Sequence, residues 1–415
     1  MKVALINNMN NNFFALMRFL RDNGIDAELF QLDVLDPHFK PECDTFDDLS
    51  ANSTLHTVGS ISFRDFYKIP FSLKLQKQLR LFKKKLESFD LIIACGGLAI
   101  LEKANIRIDI FIPHGGDLYQ SPFMFDYSIK KYFPYSYLME KYIKYQRLAI
   151  SKSRAIIALA SIDRHMFDAL KKLQEKWIDL AIPMVYPLQT SHTKRWDFLS
   201  QHDFVLFSHA RQGWKTALDY KGNDKAIRAF AQFLNQQNSF YTPIMVLFEY
   251  GPDVSASKTL VEKLGIKKHV RWMPTMERKY IYEGLHKASL VFDYFHDEVV
   301  SFGGVTFEGF SCSAPVIGNS LLSAVKGINH TLPLIHAFTE DDILKVLLDY
   351  SINPDKYIQQ GKSARLWFDE NVGVGLAKKY INLMEYLVAD KTISLKDPRF
   401  QLPPLQRYIG PDHIQ

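Results

Sequence analysis

The stretch SFGGVTFEGFSCSAPVIGN, residues 301 to 319, sets a glycine pair one helical turn before a carboxylate. Gly303 and Gly304 precede an apolar helical pattern that includes Val305, Phe307 and Phe310, so they can let a diphosphate approach the backbone and the start of a helix. Glu308 follows, where a carboxylate can accept two hydrogen bonds from a ribose diol. A two-glycine turn leading into a helix with one solvated Glu fits the same residues. Upstream, SHARQGWK and YKGNDKAIRAF carry Arg211, Lys215 and Lys221. Fixed cations there can neutralise a diphosphate, the guanidinium in bidentate fashion, although a solvated basic loop is the commoner fate of such residues. In the first half, IDIFIPHGGDLY places His114, Gly115, Gly116 and Asp117 directly after an apolar run, and Asn7 to Asn12 follow the first such run of the chain. Amide side chains donate to and accept from sugar hydroxyls, so Asn10 and Asn11 fit an acceptor-facing loop; an Asn-rich turn capping the next helix fits as well.

All these groups stand where a strand should end. In open α/β sheets ligands bind beyond the carboxyl ends of the strands, where helix N-termini offer free N–H groups. Short apolar runs alternate with helical patterns along the whole chain, which predicts the α/β class, with parallel sheets covered by helices on both faces. Strands are expected at 3–6, 27–32, 91–95, 108–112, 155–159 and 180–184, then at 204–208, 244–249, 270–273, 290–294 and 315–318. A helix is expected over Phe13 to Asp22, ended by Gly24. Two doubly wound domains follow: residues 1–190, with an insertion or loop over 37–68 where PECDTFDDLS breaks the rhythm, and residues 200–385. A proline-containing linker near 186–200 would hinge a cleft between them, and the Pro-rich residues 386–415 read as a surface tail.

The 415 residues exceed what one core usually supports, and 47% apolar content is ample for packed interiors. No apolar run approaches the roughly 20 residues that span a bilayer, and the N-terminal run is too short for a signal-peptide core. Cys43, Cys95 and Cys312 have no metal-ligand or disulfide spacing, which fits a reducing cytoplasm. The net charge of +6 favours anionic partners such as nucleotides or lipid headgroups without requiring nucleic acid. The segment SIKKYFPYSYLMEKYIKYQRLAISKSR interleaves Lys130, Lys131, Lys141, Lys144 and Arg147 with tyrosines. It fits peripheral docking on an anionic membrane, or an ordinary amphipathic helix with a solvated basic face.

Taken in order, the blocks of the second half resemble those of retaining GT-B glycosyltransferases of the family 4 type. SHAR followed by KGNDKAIRAF is similar to the family's block that grips the diphosphate through one Arg and one Lys, which implies that role for Arg211 and Lys221. EYGPDVSASKTLVEKLGIKKHVRWMP resembles its glycine-proline turn, helix and base-contacting strand end, which implies a donor contact at Met273. SFGGVTFEGFSCSAPVIGN resembles its donor stretch, which puts Gly303, Gly304 and Val305 against the donor and Glu308 on the ribose. The family usually carries a further glutamate ahead of that one, on the donor sugar. Val300 occupies its position, and Glu298 lies two residues earlier, a shift that a loop can absorb. The histidine-glycine-x-aspartate pattern is similar to a segment at the family's donor–acceptor cleft, implying His114 on the transferred sugar and Asp117 on the acceptor side. The resemblance covers nearly all of residues 203–385 and implies two Rossmann-like domains facing across a cleft.

It further implies a nucleoside-diphosphate sugar as co-substrate, a glycan or lipid-linked acceptor, no metal, and retention of configuration with the leaving phosphate assisting deprotonation of the acceptor. Synthesis of bacterial envelope glycans is a common role of such enzymes. Glycosidic hydrolysis would need two flanking carboxyl groups, and no such pair is identifiable. A nicotinamide-dependent oxidoreductase would carry G-x-G-x-x-G after the first strand, where the asparagines stand. A non-catalytic sugar-nucleotide-binding protein and a sugar-nucleotide epimerase remain as alternatives.

Overall fold

The computed structural model describes residues 1–32, 39–50, 52–59, 61, 65–123, 135–160, 163–187, 193–216, 221–236, 241–295, 304–319, 332–400 and 408–409. It divides into two compact units, one of Met1–Glu42, Asp47–Tyr186 and Val372–Gln415, the other of Cys43–Phe46 and Pro187–Asn371.

The first unit is built on a six-stranded parallel sheet: β1 (Lys2–Ile6), β2 (Asp26–Gln31), β3 (Leu55–Thr57), β4 (Leu91–Ala94), β5 (Ile110–Phe111) and β6 (Ala155–Ile156), in the order β3-β2-β1-β4-β5-β6. Central strands such as KVALI and LIIA are apolar almost throughout because helices cover both faces of the sheet. The helices are α1 (Asn12–Asp22), α2 (Asp65–Lys68), α3 (Leu73–Leu86), α4 (Ala99–Lys103), α5 (Gly116–Tyr119), α6 (Tyr135–Lys152) and α7 (Arg164–Leu173). A short strand, β7 (Trp177–Ile178), follows. The region expected as an insertion supplies the edge strand β3, which pairs with β2 through Leu29–Leu55, Phe30–His56 and Gln31–Thr57. The strand expected at 180–184 is not there, and pairing falls earlier, on β7.

The second unit repeats the plan. Its strands are β8 (Phe204–Ser208), β9 (Pro243–Phe248), β10 (Val270–Met273), β11 (Leu290–Phe292), β12 (Val316–Gly318) and β13 (Ile335–His336), in the order β10-β9-β8-β11-β12-β13, all parallel. Its helices are α8 (Asn223–Gln236), α9 (Val254–Lys263), α10 (Arg278–Leu285), α11 (Gly304–Ser311), α12 (Glu340–Ile352) and α13 (Pro354–Asn371). Apolar residues of α8 and α12 pack with β8 and β9 in one core, which includes Phe204, Phe230, Leu247 and Leu347.

The chain then returns. Helix α14 (Val374–Ala389) buries Leu376, Tyr380, Leu383, Met384 and Leu387 in the core of the first unit with Val3, Phe13 and Leu91, so residues 372–385, expected with the second domain, pack with the first. Arg154 ties this helix end, donating to the carbonyls of Leu387 and Asp390 at 2.6 Å each. The last described strand, β14 (Tyr408–Ile409), pairs antiparallel with β7. Among the described residues no helix is long and apolar enough to cross a membrane.

Candidate functional site

In each unit the first strand, β1 or β8, has strands two and three on one side and strands four to six on the other. The crevice beyond β1 and β4, or beyond β8 and β11, is the switch point where such sheets bind ligands.

In the second unit, His209 to Gln212 leave the end of β8 and run against Gly251, which follows β9. Gly251 has φ +111, and a Cβ there would come within 2.5 Å of Arg211 Cγ and of the Gln212 carbonyl oxygen. Only glycine admits that approach. Asp253 straps the next turn. Its carboxylate accepts from the N–H groups of Trp214 and Lys215 at 2.7 Å, the N–H of Thr216 at 3.0 Å, and the Thr216 hydroxyl at 2.6 Å. Desolvation works against the charge, but the Thr216 hydroxyl and these amides outweigh it and hold the carboxyl well below the usual range.

Lys221 enters after this turn, and its ammonium lies 4.0 Å from Asp293 Oδ1 and 5.6 Å from the centre of the Tyr294 ring. Asp293 is the first residue after β11 and is buried. Its Oδ2 accepts from the N–H and hydroxyl of Thr306 at 3.2 and 2.7 Å, pinning the first turn of α11 to the end of β11. Its Oδ1, like the Tyr294 hydroxyl, meets no hydrogen-bond partner among the described residues. Arg211, Lys221 and the start of α11, with Gly304 and Val305, thus stand at the carboxyl ends of neighbouring strands. Met273 closes β10, its carbonyl accepting from the Glu249 N–H at 2.8 Å. Glu298, Val300 and Gly303 lie outside the described residues.

Glu308 is buried and held from both sides. Its Oε1 is 2.8 Å from Arg278 Nε, and its Oε2 meets His209 Nε2. Arg278 in turn lies 3.3 Å from Asp44 Oδ1, so its guanidinium stands between two carboxylates, Asp44 and Glu308. Burial pushes the Glu308 carboxyl up, but Arg278 and His209 outweigh it and bring it to about 2. Burial likewise opposes the charge of Arg278, and Asp44 and Glu308 overcome it. Tyr282, one turn along α10, is pushed well up by burial, and its hydroxyl meets no hydrogen-bond partner among the described residues. Glu308 is therefore an ionised acceptor in a set position, although Arg278 and His209 already face its two oxygens.

In the first unit the asparagine loop follows β1. Asn7, Asn10 and Asn11 all have positive φ, at 71, 54 and 59, a region that Asn tolerates better than other non-glycine residues. Asn8 and Asn11 are buried. Asn8 donates to Asn11 Oδ1 at 2.8 Å and its Oδ1 accepts from the Phe14 N–H at 3.1 Å, so it satisfies one N–H of the first turn of α1. Asn11 donates to the Lys40 carbonyl at 3.1 Å. Asn10 is half-buried. The Asp117 carboxylate accepts from the N–H groups of Gly96 and His114 at 2.9 Å each and so joins the loops after β4 and β5. Burial pushes it up to about 6 against these amides. His114 packs edge-on against Phe13, with ring centroids 5.5 Å apart. Burial brings it down to about 4, and neither ring nitrogen meets a hydrogen-bond partner among the described residues.

Sequence reasoning passed over His209, Asp293, Asp253, Arg278 and Asp44. His209 follows the expected strand 204–208 directly, so the rule that singled out Arg211 reaches it too, whereas Asp293 fell inside the strand expected at 290–294, which ends at Phe292. Arg278 and Asp44 carry no local signal, because they meet only through the tertiary fold.

No protein-family model matches the chain, and no curated protein matches it. Solved structures do resemble it. HepE from Anabaena, crystallised with UDP, aligns over 93% of this chain and 100% of its own, with a TM-score of 0.59 and 14% identity. Sucrose-phosphate synthase from Thermosynechococcus elongatus aligns over 94% and 99%, with a TM-score of 0.55 and 13% identity. A putative UDP-N-acetylglucosamine 2-epimerase from Listeria monocytogenes aligns over 94% and 97%, with a TM-score of 0.57 and 11% identity. The fold is GT-B, with two Rossmann-like units each carrying a six-stranded parallel sheet.

Proposed function

We propose that the protein is a glycosyltransferase that moves a sugar from a nucleoside-diphosphate sugar to a hydroxyl of a glycan or lipid-linked acceptor. The observation that carries this reading is that Lys221 lies 4.0 Å from Asp293, which pins the first turn of α11 to the end of β11, beside the loop in which Arg211 follows β8. Two cations and a helix N-terminus are suited to the charge that grows on a departing nucleoside diphosphate, with no metal required. Glu308, held ionised, is the ribose acceptor in this reading. His114, neutral near pH 7 because of its burial, is a hydrogen-bonding group for the transferred sugar. The likeness to HepE, a structure solved with UDP, supports a uridine nucleotide as the first donor to try. Retention of configuration, a cytoplasmic location and a part in envelope glycan synthesis belong to the same proposal.

Calorimetric titration with UDP and other nucleoside diphosphates, followed by turnover assays with the matching sugar nucleotide, tests it. Micromolar binding that requires the diphosphate, with transfer or slow donor hydrolysis, is expected. Absence of nucleotide binding would sink the reading. The likeness to a putative epimerase favours one second reading, an epimerase acting on the same donor. Its mark would be an epimerised sugar nucleotide formed without acceptor.

A further inference from the structure

Helix α3 has two faces of opposite character. Leu75, Leu79, Phe82 and Leu86 recur at spacings of four, three and four, and all lie in the core of the first unit. On the other side Leu73 is 82% and Leu81 58% exposed, among the exposed cations Lys77, Arg80 and Lys84. Phe71, just before the helix, is 89% exposed. From Ile69 to Leu86 the chain has six Lys and Arg and no Asp or Glu. The apolar tips are held in place. Ser72 caps the helix by accepting from the Leu75 N–H at 3.3 Å, and Gln76 donates to the Ile69 carbonyl at 2.8 Å.

We propose that this face docks on an anionic lipid bilayer, with Phe71, Leu73 and Leu81 entering the headgroup layer and Lys77, Arg80 and Lys84 meeting lipid phosphates. Charge complementarity selects the occupant, because a helix with six cations and no carboxylate along Leu73–Leu86 is drawn to a negative surface. The apolar tips select a bilayer over a soluble polyanion, which would leave Phe71 and Leu73 in water. The surface is distinct from the basic, tyrosine-rich segment 128–154. The described part of that segment forms α6, which turns Tyr142, Gln146, Ala149 and Ile150 inward. The proposal does not depend on glycosyl transfer.

The test is sedimentation of the full chain with phosphatidylcholine vesicles, with and without about one third phosphatidylglycerol. Binding to the anionic vesicles, weakened by salt and poor on the neutral ones, is expected. The triple variant Lys77→Glu, Arg80→Glu, Lys84→Glu should lose about tenfold or more in affinity. The double variant Phe71→Ser, Leu73→Ser should lose about tenfold on vesicles while keeping its affinity for heparin. Should either variant melt early, Phe71→Trp supplies the answer, its fluorescence shifting to the blue on anionic vesicles. No binding to anionic vesicles, full binding by either multiple variant, or an unshifted Trp spectrum overturns the proposal.

Discussion

Glu308 keeps its charge in a buried place because Arg278 and His209 face its two oxygens. Its folded-state value of about 2 lies below the ordinary 4.5, so the stability it supplies is fully present above pH 4.5 and is lost as pH falls toward 2. Glu308→Gln leaves Arg278 short of a counter-charge and should cost about 3 kcal/mol near pH 7. Denaturant unfolding across pH should show the gap between variant and wild type closing below pH 4.5; a constant gap would mean that the carboxylate charge is not what stabilises. The proposed function gives Arg211 a part in the reaction. Arg211→Ala should lower kcat by about a hundredfold with a smaller change in donor KM, since charge builds on the diphosphate only as the bond breaks. Steady-state kinetics with unchanged kcat would remove it from that role.

At the scale of elements, the loop from Arg211 to Thr216 is shaped by residues that belong to the turn after β9. Gly251 and Asp253 hold it from outside. Gly251→Ala forces a Cβ onto the Gln212 backbone at a positive φ, so about 1–3 kcal/mol of stability should go, together with nucleotide affinity. Chemical denaturation and calorimetry on the same variant check both; normal affinity would show that the loop tolerates the shift. Such long-range shaping is what a linear reading misses. Phe204–Ser208 and Pro243–Phe248 were legible because a strand inside a parallel sheet is a continuous apolar run between breaks. Leu55–Thr57 and Ile335–His336 were not, being edge strands of two or three residues with partly exposed side chains. Pro183 has no N–H to give a sheet, which fits the pairing falling instead on Trp177–Ile178. The positions of Arg211 and His114 just after strands could be read, whereas the meeting of Asp44 with Arg278 could not, because it depends on a segment far away in the chain.

On the scale of the whole molecule, neither unit is a single continuous piece of chain. Residues 43–46 belong with the second unit, and the chain comes back at Val372 to complete the first. Helix α14 contributes five buried side chains, including Tyr380 at 0% exposure, to the core beside β1. Ending the chain at Asn371 should therefore uncover a large apolar face of the first unit and spare the interior of the second. Hydrogen exchange on the shortened chain would show protection lost in β1, β2 and β4 and kept in β8, β9 and β11; equal protection in both would refute the point. The same return of the chain orders events on the ribosome. Nearly all of the second unit has been translated before α14 exists, so its sheet can close while the first unit still lacks part of its core. Maturation then runs against the direction of synthesis, and the unit begun first waits for residues 374–389 to be made.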